Sequence, residues 1–268
     1  MKLFINHFPK ENFESQLQDI KDVDFSLFVD YRPTNPEELS SINILVLQEP
    51  NEYFGHHDWA IQNKDMFSCI FTWSDKVLAN CPNAVFLQFG SSWVTEEMAA
   101  LPREKIFQIG HLCGEKLLAY GHYIRHEILF RENEIKIPKK YVHVGERRWP
   151  QAIKAKEEFF GPPMFAVVIE NTSHNGYFTE KITDCMLLKT IPLYWGCSSI
   201  DNFYNKDGII KFQNADDFIQ KCNQLTPEYY YSKLDIIEEN FKRVQEHQKY
   251  EGRICNKIKN IFTLNNIR

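Results

Sequence analysis

The distribution of apolar residues along the chain predicts strands that alternate with helices. Short apolar runs separated by polar, helix-compatible segments occur at 2–6, 25–29, 42–47, 66–71 and 84–87, and a second series at 105–109, 140–144, 165–169, 191–195 and 209–212. This alternation favours a mostly parallel, doubly wound α/β sheet in each series. The chain divides near residues 95–104, and segment 146–163 has the poorest pattern, which indicates a mobile connection.

Segment 165–196 has the clearest pattern in the chain. Residues 165–169, FAVVI, form a continuous apolar run that is typical of a strand buried on both faces. Thr179 is in the position of a helix N-cap, and the apolar residues after it recur at helical spacing before the next strand. A strand, crossover helix and strand of this length form a βαβ unit. Its ligand position lies beyond the carboxyl end of the first strand.

The polar residues between these two strands have the chemistry of a nucleotide site. Free N–H groups at the start of the helix face an anion, and Lys181 adds a positive charge there. Glu180 offers two acceptor oxygens to the vicinal hydroxyls of a ribose. The segment therefore predicts a site for both halves of a nucleotide, and the alternative is an ordinary βαβ crossover with polar loop residues.

The sequence ENTSHNGYFTEK, followed by a helix and then IPLYWG, resembles the signature of family-10 glycosyltransferases, the α-1,3/4-fucosyltransferases. The resemblance covers about residues 160–222 and is thinner over 42–130. It implies an α/β, GT-B-like fold with two Rossmann-type domains facing a cleft and a C-terminal helix bracing the first domain. We expect an acceptor-side domain at 1–102, a nucleotide-sugar donor domain at 103–245 and the returning helix at 246–268.

The same resemblance implies a function. Family members are inverting transferases that move fucose from GDP-fucose to a glycan hydroxyl, and they require no metal ion. Another donor such as UDP-xylose stays open, as does a non-catalytic nucleotide- or glycan-binding protein of the same fold. A third interpretation is a regulatory or scaffold protein that uses the long C-terminal helices. The acceptor glycan, the linkage and the oligomeric state are not constrained.

The resemblance also assigns donor-binding roles to six residues of this chain: Arg125, Glu170, Asn171, Tyr177, Glu180 and Lys181. Arg125 and Lys181 are expected on the diphosphate, where a guanidinium can grip two phosphate oxygens. Glu180 is expected on the ribose, and Glu170 either lines the pocket or supports the loop from behind. Three other arginines are alternatives to Arg125, namely Arg131, Arg147 and Arg148.

Glu49 is the candidate catalytic base. It follows the apolar run 42–47, which places it at the carboxyl end of a strand, where a doubly wound domain gathers active-site residues. A glutamate at a comparable strand end is proposed as the base in the family, and Glu49 resembles it. Glu52 is the rival, and a solvated loop carboxylate is the alternative.

The histidines do not predict a metal site. His56 and His57 are adjacent, so their side chains diverge and do not easily share one ion. His122 and His126 share a helix face, but no third ligand is evident. Packing or a phosphate contact is the expectation for this second pair.

Composition excludes several classes of protein. The 31 basic and 36 acidic residues give a net charge of −5 without a dense basic run, which disfavours a nucleic-acid partner. The seven cysteines lack paired short spacing, which is typical of reduced thiols in the cytoplasm. Neither a signal peptide nor a membrane span is evident. Since secretory fucosyltransferases carry an N-terminal anchor, we expect a bacterial-like or virus-encoded cytoplasmic enzyme, or a shortened chain.

Overall fold

The computed structural model describes residues 1–144 and 151–264. These residues group into two units, of which the first contains residues 1–89 together with the C-terminal segment from Lys249, and the second contains residues 90–248. Both units are built from parallel strands and helices, as the hydrophobic pattern predicts.

The strands and helices alternate along most of the chain. The strands are β1 (Lys2–Ile5), β2 (Phe25–Val29), β3 (Ile42–Leu47), β4 (Cys69–Thr72), β5 (Ala84–Phe86), β6 (Ile106–Gly114), β7 (Lys139–Val144), β8 (Pro163–Ile169), β9 (Ile191–Trp195) and β10 (Ile210–Lys211). The helices are α1 (Lys10–Gln16), α2 (Asn51–Phe54), α3 (His56–Gln62), α4 (Asp75–Asn80), α5 (Glu96–Ala100), α6 (Tyr120–Phe130), α7 (Gln151–Phe160), α8 (Glu180–Leu187), α9 (Ala215–Cys222), α10 (Pro227–Tyr231), α11 (Leu234–Gln245) and α12 (Tyr250–Leu264). Short 3-10 turns lie at Gln18–Ile20, Pro36–Glu38, Lys64–Met66, Glu132–Glu134, Ile200–Asn202 and Lys206–Gly208.

Two local expectations are wrong. The prediction of a mobile connection over 146–163 is wrong for its described part, because Gln151–Phe160 forms helix α7, whereas 146–150 lie outside the described residues. The apolar run 66–71 becomes a strand only from Cys69, because Lys64–Met66 forms a 3-10 turn.

The first unit contains a sheet in which the described strands follow chain order, β1-β2-β3-β4-β5, with parallel neighbours throughout. In a doubly wound sheet the strand order reverses at one point. The described strands of the first unit show no such reversal, so this part of the prediction is wrong here. Phe28 packs on one side of this sheet with Ala60 of α3 and Val77 of α4.

Helix α12 packs on the first unit. The ring of Phe262 lies 5.1 Å from that of Phe25 in β2. Asn12 of α1 donates a hydrogen bond of 3.1 Å to the Glu251 carboxylate. These contacts confirm that a C-terminal helix braces the first domain.

The second unit contains a parallel sheet in the order β10-β9-β8-β6-β7. The order reverses between β6 and β8, because the chain moves from β6 outward to β7 and then returns to the other side of β6. Such a reversal leaves a crevice outside the carboxyl ends of the two strands, which is where open α/β sheets bind ligands.

Strand β8 is buried on both faces, as its apolar run predicts. Phe165 and Val167 belong to a cluster with Ile124 of α6 and Phe218 of α9. Ala166 and Val168 pack on the opposite face with α7 and α8. Strand β8 therefore ends at a fixed place between two helical layers.

All seven cysteines are buried as free thiols, in agreement with their spacing in the sequence. Within residues 1–144 and 151–264, none of the helices combines the length and the apolar character that crossing a membrane requires.

Candidate functional site

Glu170 ties together the two ends of the loop between β8 and α8. The side chain is fully buried, with Oε1 accepting from the backbone N–H of Thr179 at 2.9 Å and Oε2 accepting from Thr179 Oγ1 at 2.7 Å. Burial raises the pKa of Glu170, and the nearby Lys181 ammonium opposes that effect. The sequence left two roles open for Glu170, lining the pocket or supporting the loop from behind. These hydrogen bonds favour the supporting role.

Helix α8 begins where the sequence predicts. Thr179 is its N-cap, and its hydroxyl accepts a hydrogen bond from the Lys181 backbone N–H. The Lys181 ammonium folds back over this start, 3.1 Å from Thr179 Oγ1 and 3.6 Å from both Glu170 Oε2 and Glu180 Oε1. Its side chain keeps 22% exposure. A cation thus stands beside a helix N-terminus, and both favour an anion.

Arg125 reaches the same loop from α6. The residue is 8% exposed, and its guanidinium donates through Nη2 to Asn171 Oδ1 at 2.6 Å. The backbone N–H of Gly121, one turn earlier on α6, donates to the carbonyl of Asn171 at 3.0 Å. Helix α6 therefore holds the first residues of the loop by two hydrogen bonds, and it brings an arginine to the end of β8.

Gly121 allows this close approach. A Cβ at this position would lie 1.8 Å from the carbonyl oxygen of Glu170, which is far inside van der Waals contact with backbone. We expect Gly121→Ala to lower the free energy of unfolding by about 3 kcal/mol, because overpacking against backbone has no cheap relaxation. Urea unfolding measures the change.

Gly252→Ala is the matched control, since Gly252 also lies in a helix. Its added Cβ would meet the flexible Gln16 side chain at 3.1 Å. The higher helix propensity of alanine is expected to leave that variant unchanged or more stable by up to about 1 kcal/mol. Equal effects of the two substitutions would contradict the close approach.

The side chains at the ends of β6 and β8 line an open pocket. Its volume is about 370 Å³, which includes open solvent at the mouth. Its walls combine apolar residues of both strands with four charged side chains: Arg125, Lys156, Glu180 and Lys181. Three of the six predicted donor residues thus meet in one pocket of the second unit. Lys156 was not predicted, because it lies in the segment whose pattern is poorest.

Glu180 is kept ionised in this pocket. Burial by itself would raise the pKa of its carboxyl, but the ammonium groups of Lys181 and Lys156, together with hydrogen bonds from the Glu180 backbone and the Thr179 side chain, lower the pKa to about 2. A carboxylate in this state only accepts hydrogen bonds, which suits a pair of hydroxyl donors.

The remaining donor-site candidates occupy different surroundings. Tyr177 is 1% exposed, and its role in lining the pocket stays a prediction. Arg131, a rival of Arg125, forms ion pairs at the surface with Glu134 at 2.7 Å and Asp216 at 2.8 Å. The other two rivals, Arg147 and Arg148, lie outside the described residues.

The histidines on or beside α6 contact backbone. Nδ1 of His122 accepts from the Ala119 N–H at 3.1 Å, and burial with the nearby Arg125 charge lowers the pKa of His122 to about 4. Nε2 of His126 lies 2.9 Å from the Gly114 carbonyl oxygen. Over residues 1–144 and 151–264, no three His, Cys, Asp or Glu side chains are grouped as metal ligands.

Glu49 lies in the first unit, directly after β3, and its backbone is held by a buried carboxylate. Asp30 follows β2, is fully buried, and accepts from the N–H groups of Gln48 at 2.9 Å and Glu49 at 3.1 Å. Burial raises the pKa of Asp30 to about 8, although both hydrogen bonds act in the opposite direction. Glu52 is exposed on α2.

Asp30 was not predicted as a site residue, although its place in the sequence could have indicated it. It directly follows a fully buried strand, which is the same position that pointed to Glu49. Strands β2 and β3 are parallel neighbours, so the residues after them lie side by side.

Comparisons with known proteins find partial sequence similarity to fucosyltransferases. No protein-family model matches it. It is 37% identical over 92 residues to an α-(1,3)-fucosyltransferase, FucT, of Helicobacter pylori, which is 33% of this chain and 19% of that protein. It is 32% identical over 71 residues to a putative fucosyltransferase of Acanthamoeba polyphaga mimivirus, which is 25% of this chain and 12% of that protein. The matched segments are thus a small part of either relative.

Solved structures resemble the chain over most of its length. A crystal structure of an α1,3-fucosyltransferase superposes with a TM-score of 0.59 at 16% identity and covers 95% of this chain and 88% of that one. A structure of OtsA superposes at 0.58 with 9% identity, covering 92% and 75%. At such identities the likeness concerns the fold, and it confirms the predicted GT-B-like architecture. Together with the sequence matches, these comparisons show that the chain has the GT-B fold and resembles fucosyltransferases in sequence over a third of its length or less.

Proposed function

We propose that the chain transfers a sugar from a nucleoside-diphosphate sugar to a hydroxyl group of a glycan, with GDP-fucose as the donor to test first. The observation that carries this proposal is the convergence of Arg125, Lys181 and Glu180 on one pocket at the strand-order reversal of the second sheet. Two cations next to a helix N-terminus suit a diphosphate, and an ionised carboxylate suits a ribose.

The charges of this pocket also suit the departure of a nucleoside diphosphate. When the bond between the anomeric carbon and the phosphate oxygen breaks, its electron pair stays on that oxygen. Arg125 and Lys181 are fixed cations that stabilise this growing negative charge, and fixed charges of this kind are strong contributors to catalysis. Because these groups meet the diphosphate directly, the proposal includes transfer that is independent of a divalent metal ion.

Glu49 is the proposed base. It takes the proton of the acceptor hydroxyl while that oxygen forms the new bond to the anomeric carbon in line with the leaving group. This course inverts the configuration at the anomeric carbon. Asn171 is proposed to hold Arg125 in place through the 2.6 Å hydrogen bond, and Tyr177 to line the donor pocket.

Donor identity rests on the relatives. One solved α1,3-fucosyltransferase structure, described as a complex with GDP-fucose, superposes with a TM-score of 0.51 at 19% identity. Structures of the same fold described with UDP or UDP-2-fluoro glucose also superpose, at TM-scores of 0.56 and 0.58. A uridine nucleotide is therefore the second donor class to test.

The test is a thermal-shift series with GDP, UDP, CDP and ADP, each with and without EDTA. A ligand at 100 times its Kd stabilises the folded state by about 2.7 kcal/mol, which raises Tm by several degrees. We expect GDP to raise Tm regardless of EDTA, and GDP-fucose to be consumed when a glycan acceptor is added. A response to UDP alone changes the donor, and no response to any nucleotide contradicts the proposal. Binding without any turnover of donor favours the non-catalytic alternative.

A further inference from the structure

A buried lysine lies behind the proposed ribose carboxylate. The Lys156 side chain, on α7, is 2% exposed, and its ammonium nitrogen lies 3.6 Å from Glu180 Oε1 and 3.5 Å from the Glu180 carbonyl oxygen. We propose that Lys156 is a positioning residue that holds the Glu180 carboxylate ready for the ribose hydroxyls and so sets the preference for a ribonucleotide donor. This inference rests on the proposed function of the pocket.

The charge of Lys156 is itself balanced from behind. Its ammonium pairs with Asp184 of α8, whose side chain is fully buried. The other carboxylate oxygen of Asp184 accepts three hydrogen bonds, from Ser92 Oγ at 2.9 Å and from the backbone N–H groups of Trp93 at 2.8 Å and Val94 at 3.0 Å. The ammonium also lies 4.0 Å from the centre of the Trp93 ring. Lys156 is thus held by contacts on several sides.

Such a buried pair is not explained by stability alone. Removing two charges from water costs several kcal/mol for each ion, and apolar residues of the same volume often serve stability as well or better. Lys156 nevertheless lines the pocket beside Glu180. The position of Lys156 therefore indicates that this buried pair serves the pocket.

The two lysines around Glu180 differ in position. Both ammonium nitrogens lie 3.6 Å from the same oxygen of Glu180, but Lys181 is 22% exposed and Lys156 is 2% exposed. Lys181 stands over the start of α8 with Thr179, where the proposed function places the diphosphate, whereas Lys156 is buried against Asp184. Lys181 is therefore suited to the diphosphate, and Lys156 acts on the ligand through Glu180.

The experiment compares GDP with 2′,3′-dideoxy-GDP, which keeps the base and the diphosphate but lacks both ribose hydroxyls. Isothermal titration of the wild-type protein is expected to show tighter binding of GDP. In Lys156→Met we expect the ratio of the two Kd values to fall about 10-fold, since a hydrogen bond to a charged group has about this effect on affinity. Affinity for the dideoxy nucleotide is expected to change less than twofold.

Four further variants test the interpretation. The double variant Lys156→Met with Asp184→Asn removes both charges of the buried pair, so it tests the same inference if the single variant does not fold. In Glu180→Gln the ratio is also expected to fall, and adding Lys156→Met to it is expected to produce little further loss. Lys140→Met is the control, because Lys140 of β7 pairs at the surface, at 3.0 Å, with Glu158 of α7, the helix that carries Lys156.

The outcomes separate the two proposals. If the wild-type protein binds neither GDP nor any other nucleotide of the thermal-shift series, the proposed function fails and this inference with it. If the wild-type protein discriminates between the two nucleotides and the Lys156 variants keep that ratio, the inference alone is overturned. An equal loss of affinity for both nucleotides also overturns it, since that result indicates a structural role only.

Discussion

Replacing Glu49 with glutamine is expected to lower sugar transfer by about 10²- to 10⁴-fold, which is the usual contribution of a positioned general base. Glutamine keeps the size and polarity of the side chain but does not take a proton from the acceptor hydroxyl. The affinity for the nucleotide is expected to stay within about twofold of wild type, because the proposed donor residues belong to the second unit. Initial rates with donor and acceptor, together with titration of GDP, measure both quantities.

Glu52→Gln is the matched control, since Glu52 lies three positions away on α2 and was the rival candidate. We expect this variant to retain most of its activity. The backbone of Glu49 is held by Asp30, so its side chain starts from a fixed position, whereas Glu52 is exposed. If Glu52→Gln loses transfer and Glu49→Gln keeps it, the assignment of the base is wrong.

Replacing Arg125 with lysine is expected to weaken binding of GDP by about 10- to 100-fold, although the positive charge is kept. A guanidinium offers five N–H donors in a rigid fork, so it can hold Asn171 and grip two phosphate oxygens together. A lysine ammonium is shorter in reach and not planar, and charge-assisted hydrogen bonds contribute about 1.5–3 kcal/mol each. Isothermal titration with GDP and with GMP measures the effect, and the loss is expected to be larger for the diphosphate.

Arg131→Lys is the control for Arg125→Lys. Arg131 directly follows the same helix, but its partners are the carboxylates of Glu127, Glu134 and Asp216 at the surface. Exposed ion pairs of this kind contribute little to the free energy of unfolding. We therefore expect nucleotide affinity and stability close to wild type. An equal loss in both variants, or a loss in Arg131→Lys only, would show that Arg125 does not bind the diphosphate.

The local architecture of the proposed donor site could be predicted from the sequence. The buried strand β8, the N-cap at Thr179 and the helix that follows it are properties of short segments, and periodicity and capping chemistry report them directly. The same holds for the strand that precedes Glu49. Lys181 and Glu180 were identified for this reason, since both lie within the first turn of one helix.

The partners of these residues could not be predicted in the same way. Lys156 lies far from Glu180 in the sequence, in a segment without a clear strand or helix pattern, and the local pattern does not single out Asp184, its partner on α8. The pairing of Asp30 with the backbone of Glu49 likewise needs β2 and β3 to be neighbours in the sheet.

The sequence by itself determined the strand and helix pattern, the start of α8 and the chemistry offered there, because these depend on residues close together in the chain. The tertiary structure alone decided that α6 delivers Arg125 to Asn171 and that α7 places Lys156 under Glu180. The physical reason is the strand order. The return of the chain across β6 to form β8 sets the ends of these two strands side by side, and packing of α6 and α7 on opposite faces of β8 then brings their charged side chains to one pocket.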